Sequence, residues 1–120
     1  MIMKIELELR QAVDYYFQLH KLKEFDKEYR RTEQEVLRAI RNHARINTVR
    51  VAFIQEQVDK LFTVIYVHDL PETTQKIMGQ AATNTICHEV KILARFGIAG
   101  DILLQADDIL PQIRFGLIER

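Results

Sequence analysis

Residues 32–65, "TEQEVLRAIRNHARINTVRVAFIQEQVDKLFTVI", carry the pattern that decides the fold. Apolar residues recur in this stretch in alternating steps of three and four, the spacing that places side chains on one face of an α-helix. About four heptads follow this spacing, and they predict a long helix that packs against partners along much of its length. The residues at these positions are Leu37, Ile40, Ala44, Asn47, Val51, Ile54, Val58, Leu61 and Ile65.

The start of this stretch and its β-branched segments bear on where the helix begins and whether it is continuous. Thr32 and Glu35 have the spacing of a capping box, which predicts that the helix begins at Thr32. The segments "INTVRVAFI" and "FTVIYV" are rich in β-branched residues, which favour strands. Neither segment alternates cleanly or is bounded by turn residues. We therefore expect one helix, with a break near residues 55–57 as the alternative.

The distribution of glycine and proline extends the helical prediction to the whole chain. All four glycines and both prolines follow residue 70, whereas a strand-rich protein needs turn residues about every ten positions. The sequence therefore predicts an all-α fold, a single domain over residues 1–120 with about four main helices and one long central helix. The other helices are expected at about 4–24, with a short strand at 4–9 as the alternative, at 70–96, and at 101–110, before an apolar tail that docks.

The first and third predicted helices each carry an apolar face. On the first helix this face consists of Ile5, Leu9, Ala12, Val13, Tyr16, Phe17 and His20. On the third helix it consists of Ile77, Ala81, Thr85, Ile92 and Phe96. Each face is expected to pack against another part of the bundle.

Composition places the chain among globular proteins. Of its 120 residues, 48% are hydrophobic and 28% are charged, which is neither a disordered nor a membrane-spanning composition. The N-terminal "MIMKIELELR" lacks the long apolar core of a signal peptide, and no run of about 18 apolar residues is present. The single cysteine, Cys87, cannot form an internal disulfide. These features predict a cytoplasmic protein without a membrane partner.

A histidine–aspartate pair lies in "VHDLPE", residues 67–72. This hexapeptide resembles the local pattern of some nucleotidases among the HD-domain phosphohydrolases, in which an upstream histidine, the His-Asp pair and a later aspartate hold divalent metal ions. The resemblance implies a metal-activated water that attacks a phosphate. On this sequence the implied ligands are His43, His68, Asp69 and either Asp101 or Asp107.

The same residues also suit the boundary between two helices. Asp69 and Glu72 have the capping-box spacing, and Pro71 is tolerated in the first turn of a helix. His68 would meet the negative end of the preceding helix dipole. His43 lies 25 residues before His68, or ~37 Å along one continuous helix, too far to share an ion. We therefore expect a structural hinge with no metal and no cofactor, and keep the metal site as the alternative.

Other catalytic signatures are missing from the sequence. It has no P-loop, GxGxxG, HExxH, GxSxG or paired CxxC motif. Cys87 and His88 are adjacent, but neighbouring residues of a helix point about 100° apart and cannot form the hydrogen-bonded pair that activates a thiol. Cys87 is expected to be a small buried apolar residue. The sequence thus favours a protein that is not an enzyme, with the phosphohydrolase as the alternative.

A stripe of arginines is one of two surfaces that suggest a partner. No acidic residue lies between Glu35 and Glu56. The arginines fall within an arc of about 80° on the predicted helix, roughly opposite the apolar seam. Arginine at this spacing suits successive phosphates of a nucleic acid or an acidic patch on a protein. The stripe consists of Arg31, Arg38, Arg41 and Arg45.

Excess apolar surface on the predicted long helix is the second feature that suggests a partner. Ile46, Val49 and Phe53 lie away from the seam, and residues 61–67, which include Val64, are apolar almost all round. Because a helix that is apolar on every side must be covered on every side, a second subunit is the simplest cover. The sequence therefore predicts a homodimer with these four residues at its interface. A buried Asn47 would fix the register.

These expectations combine into one functional hypothesis and two alternatives. The main hypothesis is a non-catalytic helical binding, regulatory or assembly protein that acts through protein–protein contacts. The first alternative is a protein that binds the nucleic-acid backbone through the arginine stripe. The second is a small metal-dependent phosphohydrolase that resembles HD-domain proteins.

Overall fold

The computed structural model of the chain describes residues 2–46, 49–96 and 106–116. The described residues contain no strand, so the predicted all-α fold is confirmed for them and the strand alternative at residues 4–9 is wrong. The main elements are α1 (Ile2–Ile46), α2 (Val51–Val67) and α3 (Glu72–Phe96). Residues 106–109 are also helical, and they lead into a 3-10 turn, Leu110–Gln112.

Helix α1 is one uninterrupted helix of 45 residues. The predicted boundary between residues 24 and 32 is wrong, and Thr32 lies inside α1 rather than at its start. The connecting sequence "FDKEYRR", residues 25–31, has no glycine or proline and is rich in residues that tolerate a helix. Phe25 and Tyr29, four residues apart, both enter the core. Local propensity and packing therefore both favour continuation of the helix.

The predicted long helix over residues 32–65 is two helices. Helix α1 ends at Ile46 and α2 begins at Val51, whereas residues 55–57, the expected alternative break, lie inside α2. Arg50 has an extended backbone, with φ −115° and ψ 153°. Val49 and Val51 flank Arg50, and β-branched residues of this kind favour extended over helical backbone. Asn47 lies outside the described residues, so its predicted register-fixing role stays a prediction.

The chain reverses between α1 and α2, so the two helices form an antiparallel hairpin. At the end near the reversal, the ring of Phe53 stacks on His43 with centroids 3.9 Å apart. At the opposite end, His68 Nε2 lies 2.5 Å from Glu28 Oε2. The seam of α2 faces inward in this hairpin. Its fully buried members, Ile54, Val58, Leu61 and Ile65, pack with buried residues of α1 and α3.

Helix α3 covers the hairpin with a different face from the one predicted. Ala82, Ile86 and Val90 are buried, whereas Ile77 is exposed. The sequence of α3 mixes threonine, glutamine and asparagine with alanine, so its apolar periodicity is weak. The prediction for this face is therefore wrong.

The C-terminal segment, residues 106–116, docks on α2 as the tail prediction expected. Ala106, Ile109 and Ile113 are buried in the common core. The Gln55 side chain accepts a hydrogen bond from the Arg114 backbone N–H at 2.9 Å and donates one to the Arg114 carbonyl at 3.0 Å. Gln55 thus satisfies both backbone hydrogen-bonding groups of Arg114, as pairing with a neighbouring strand would. The fourth predicted helix is confirmed only over residues 106–109, because residues 101–105 lie outside the description.

Candidate interaction surface

The N-terminal part of α1 extends beyond the core. The first buried residue of α1 among the described side chains is Phe25. We define the arm as residues 6–24, in which every described side chain is exposed or half-buried. The molecule measures 72 × 26 × 20 Å, and a helix of the length of α1 spans ~68 Å. The long dimension of the molecule is therefore set by α1, with the arm as its projecting end.

The arm carries the apolar face that the sequence predicts, and this face is uncovered. Leu9, Val13, Tyr16 and Phe17 are each 60–68% exposed. The described residues of the other helices do not cover them, although such a face normally packs against a neighbouring element. Ile5, the first predicted member of the face, has a side chain outside the description. An exposed apolar stripe of this kind is typical of interaction surfaces on folded proteins.

The arm's apolar face and the core face of α1 lie on opposite sides of the helix. The arm face is centred near Val13 and Tyr16. The core face is centred near Tyr29, Val36 and Ile40, all buried. Because each residue advances by about 100°, the two centres lie about 170° apart. Helices α2 and α3 pack on the core side of α1, so they could not cover the arm's apolar face even if they were longer.

The four arginines of the predicted stripe separate into two groups. Arg31, Arg38 and Arg45 are exposed, and by helical phase they share the side of α1 that carries the arm's apolar face. None of these three forms an ion pair with another described residue. Arg41 instead contacts Glu89 of α3 through its Nε, and its second terminal nitrogen lies 3.3 Å from Glu89 Oε2.

The Arg41–Glu89 contact is a structural ion pair. The Glu89 side chain is only 10% exposed, against 56% for Arg41. The hydrogen bond to Glu89 and its charge raise the pKa of the Arg41 guanidinium. Because a buried carboxylate needs a partner, Arg41 is committed to joining α1 and α3. Glu89 is a charged residue on the same face of α3 as the buried residues Ile86 and Val90. A carboxylate at such a position needs a partner, and this was the signal in the sequence that could have revealed the pair.

The residues predicted for a dimer interface on the long helix have three different environments. Val49 and Val64 are buried within the single chain, so the apolar surface that motivated their assignment is already covered. Phe53 is half-buried against His43. Ile46, at the end of α1, is 81% exposed. Burial within the single chain corrects the assignment of Val49 and Val64, whereas for Ile46 and Phe53 it stays a prediction. Among the described residues, most of the exposed large apolar side chains lie on the arm.

The His-Asp pair lies at the turn between α2 and α3, at the predicted boundary between two helices. His68 is the C-cap residue of α2, and Asp69 follows with a positive φ of 51°. Asp69 is therefore not the N-cap of α3, which begins at Glu72; it occupies the left-handed position that often ends a helix. The His68 ring also lies against Phe25, with centroids 5.5 Å apart, so both contacts of this ring tie the hinge to α1.

The residues of the alternative metal site are not brought together. His43 lies against Phe53 near the start of α2, and His68 follows the end of α2, which separates them by ~22 Å along that helix. Asp107 is exposed on the C-terminal segment, and Asp101 lies outside the description. Among the described residues, no group of three or more His, Cys, Asp or Glu side chains could hold a metal ion.

Cys87 is half-buried on α3. Burial raises the pKa of its thiol, and the charge of Lys91 opposes this only in part. A reactive cysteine has a lowered pKa, because the thiolate is the nucleophile. The environment of Cys87 therefore favours the neutral thiol.

Comparison of the chain with protein-family models, with curated proteins and with solved structures found no match. Within the described residues, no helix combines the length and the apolar character that crossing a lipid bilayer requires.

Proposed function

We propose that the chain is a non-catalytic helical assembly protein of the cytoplasm, which acts through protein–protein contacts made by the arm. The observation that carries this proposal is the uncovered apolar face of α1, formed by Leu9, Val13, Tyr16 and Phe17. Four large side chains exposed to this extent present on the order of 400 Å² of apolar surface in one stripe. At about 25 cal/mol per Å², covering the stripe favours association by roughly 10 kcal/mol before the entropic cost of binding.

The environments of the titratable residues that drew attention in the sequence also support this proposal. Glu89 is neutralised by Arg41, and His68 is held by Glu28. Both pairs join α1 to another part of the core. The thiol of Cys87 has a raised pKa. Each of these groups therefore stabilises the fold or stays neutral, whereas among the described residues the arm's apolar face contributes nothing to the core.

Replacing Tyr16 of the full chain by a photo-crosslinking amino acid tests the proposal in the cells that express the protein. We expect this variant to form covalent adducts with protein, because position 16 lies at the centre of the apolar face. Gln18, which is exposed near the opposite side of α1, is the matched control and should form few adducts. Adducts with nucleic acid alone, or equal yields at both positions, would contradict the proposal.

Binding to a nucleic-acid backbone is the second candidate function, and the exposed arginines favour it. Arg31, Arg38 and Arg45 repeat every seven residues, which places them ~10.5 Å apart along one side of α1. If they neutralise phosphates of duplex DNA, the log–log salt slope of binding should change by about 0.9 for each arginine removed. The triple glutamine variant of these residues should therefore lose nearly three units of slope. An unchanged slope would exclude this function for the stripe.

A further inference from the structure

We infer that the occupant of the arm is the arm of a second copy of this chain, packed in antiparallel orientation. This inference rests on the proposed function and names its partner. It depends on three properties of α1: the side on which the arginines lie, the order of charges along the arm, and the area of the apolar face.

The arginines disfavour the parallel orientation. Arg31, Arg38 and Arg45 lie on the same side of α1 as the arm's apolar face. If two copies paired in parallel and in register through that face, each of these residues would meet its own equivalent in the other copy. Like charges in direct opposition destabilise a helix pair, so the arginines disfavour the parallel orientation.

The antiparallel orientation removes this conflict and covers the apolar face. We place the two-fold axis at the level between positions 14 and 15 of the helix. Val13 of one copy then lies near Tyr16 of the other, so the centres of the two apolar faces meet. The arginine stripe of each copy then lies outside the paired arms, because the arm, residues 6–24, pairs with residues 5–23 of the second copy. The core of each copy does not obstruct the contact, because it packs on the opposite side of α1.

The order of charges along the arm is complementary to itself in this orientation. Glu6 precedes the axis by the same number of residues by which Lys23 follows it, and both lie within about 50° of the centre of the arm's apolar face. In this register residues 6–10 of one copy, with a net charge of −1, lie alongside residues 19–23 of the other, with a net charge of +2. The acidic end of each arm therefore lies over the basic end of the other, which favours the antiparallel pair and selects its register.

The size of the surface indicates a dimer of moderate affinity. The two apolar stripes together contribute on the order of 800 Å², and the flanking polar residues bring the total toward the lower range of specific interfaces, about 1,200 Å². Tyrosine and phenylalanine at the centre of the face are residues that often dominate binding energy. We expect a monomer–dimer equilibrium in the micromolar range.

Sedimentation or light scattering of the full chain over a range of concentrations measures this equilibrium. The wild type should dimerise. A Val13→Glu, Tyr16→Glu variant should raise the dimer dissociation constant by about a hundredfold or more. Its thermal unfolding, extrapolated to low concentration, should match that of the wild-type monomer, because neither residue contacts the core. The control variant Gln11→Glu, Gln18→Glu adds the same charge away from the apolar face and should dimerise like the wild type.

Charge reversal tests the orientation. A Glu6→Lys variant should dimerise about tenfold more weakly, because a lysine at position 6 would then oppose Lys23 of the second copy. Adding Lys23→Glu should restore the dimer in the antiparallel orientation. A parallel pair opposes each residue to its own equivalent, so these reversals would leave its repulsions unchanged. Failure of the double variant to recover would overturn the antiparallel arrangement.

The inference and the proposed function can fail separately. A wild type that stays monomeric at high concentration, together with photo-adducts from position 16 to another protein, would overturn the second copy as occupant and leave the proposed function standing. A monomer that forms no protein adduct at position 16 would overturn both.

Discussion

Replacing Val64 by glutamate is expected to unfold the single chain rather than to separate subunits. Val64 is 7% exposed and lies in the core of the hairpin. A carboxylate at this position would lose its hydration without gaining a partner, so we expect a destabilisation of at least about 3 kcal/mol. This is a large fraction of the 5–15 kcal/mol that holds a typical domain together. Denaturant unfolding followed by circular dichroism measures the loss.

Val67→Glu is the matched control. Val67 is on the same helix, three residues further on, and is 65% exposed. The new carboxylate would stay in water near the negative end of α2, at a cost of no more than about 1 kcal/mol. If Val64→Glu instead gave a stable, folded monomer, Val64 would lie at an interface between subunits and the description of the core would be incorrect.

Replacing Arg41 by alanine is expected to cost about 2 kcal/mol of unfolding free energy, because it leaves the buried Glu89 carboxylate without a partner. The expected cost lies below that of a fully buried pair, since the Arg41 side chain is 56% exposed and water can partly replace it. Arg38→Ala, on the exposed side of the same helix, should change stability by less than about 0.5 kcal/mol. Urea titrations of the two variants measure the difference.

Glu89→Gln separates the role of charge from that of packing. The amide keeps the shape of the side chain and leaves Arg41 free to be solvated, so we expect a cost of only about 1 kcal/mol. Equal costs for Arg41→Ala and Arg38→Ala would show that the pair with Glu89 does not contribute to stability.

The expected difference between Arg41 and Arg38 also affects nucleic-acid experiments. A variant lacking Arg38 and Arg41 together would lose fold stability along with charge. Substitutions at Arg31, Arg38 and Arg45 avoid that ambiguity.

The helical content of the chain could be predicted because its signals are local. Glycine and proline are confined to the part after residue 70, and a step of three and four residues defines an apolar face without reference to any partner. The buried members of the seam, such as Ile54 and Leu61, were predicted for the same reason. The face of α3 was missed because its polar and small residues give no comparable periodicity.

The reversal of the chain before α2 could not be placed from the periodicity. The three- and four-residue steps continue in phase from Ala44 to Val51, so the same spacing is compatible with one helix or with two. The β-branched residues around Arg50 were a correct sign of non-helical backbone, although the result is a reversal rather than a strand. Closure of the hairpin lets α1 bury the seam of α2, which a single straight helix could not do by itself.

The contacts that give Arg41 and His68 structural roles join residues far apart in sequence. Arg41 and Glu89 are separated by 48 positions, and Glu28 and His68 by 40. The sequence identified Arg41 as a member of a binding stripe because its angular position on the helix is close to that of its neighbours. Only the position of α3 shows that Arg41 is already paired. The apolar face of the arm was likewise predicted, but its exposure depends on which side of α1 the other helices occupy.

The continuity of α1 through residues 24–31 makes helical phase a constraint on how the chain can change in length. One inserted residue between the arm and the core would turn the arm face by about 100° relative to the core face, whereas seven would turn it by only about 20° and lengthen the arm by ~10.5 Å. For two copies joined through their arms, each added heptad would move the two cores about 20 Å further apart while nearly preserving their relative rotation. Length variants that preserve the relative rotation of the two cores should therefore differ in whole heptads, and α1 would act as a spacer whose length changes in discrete steps.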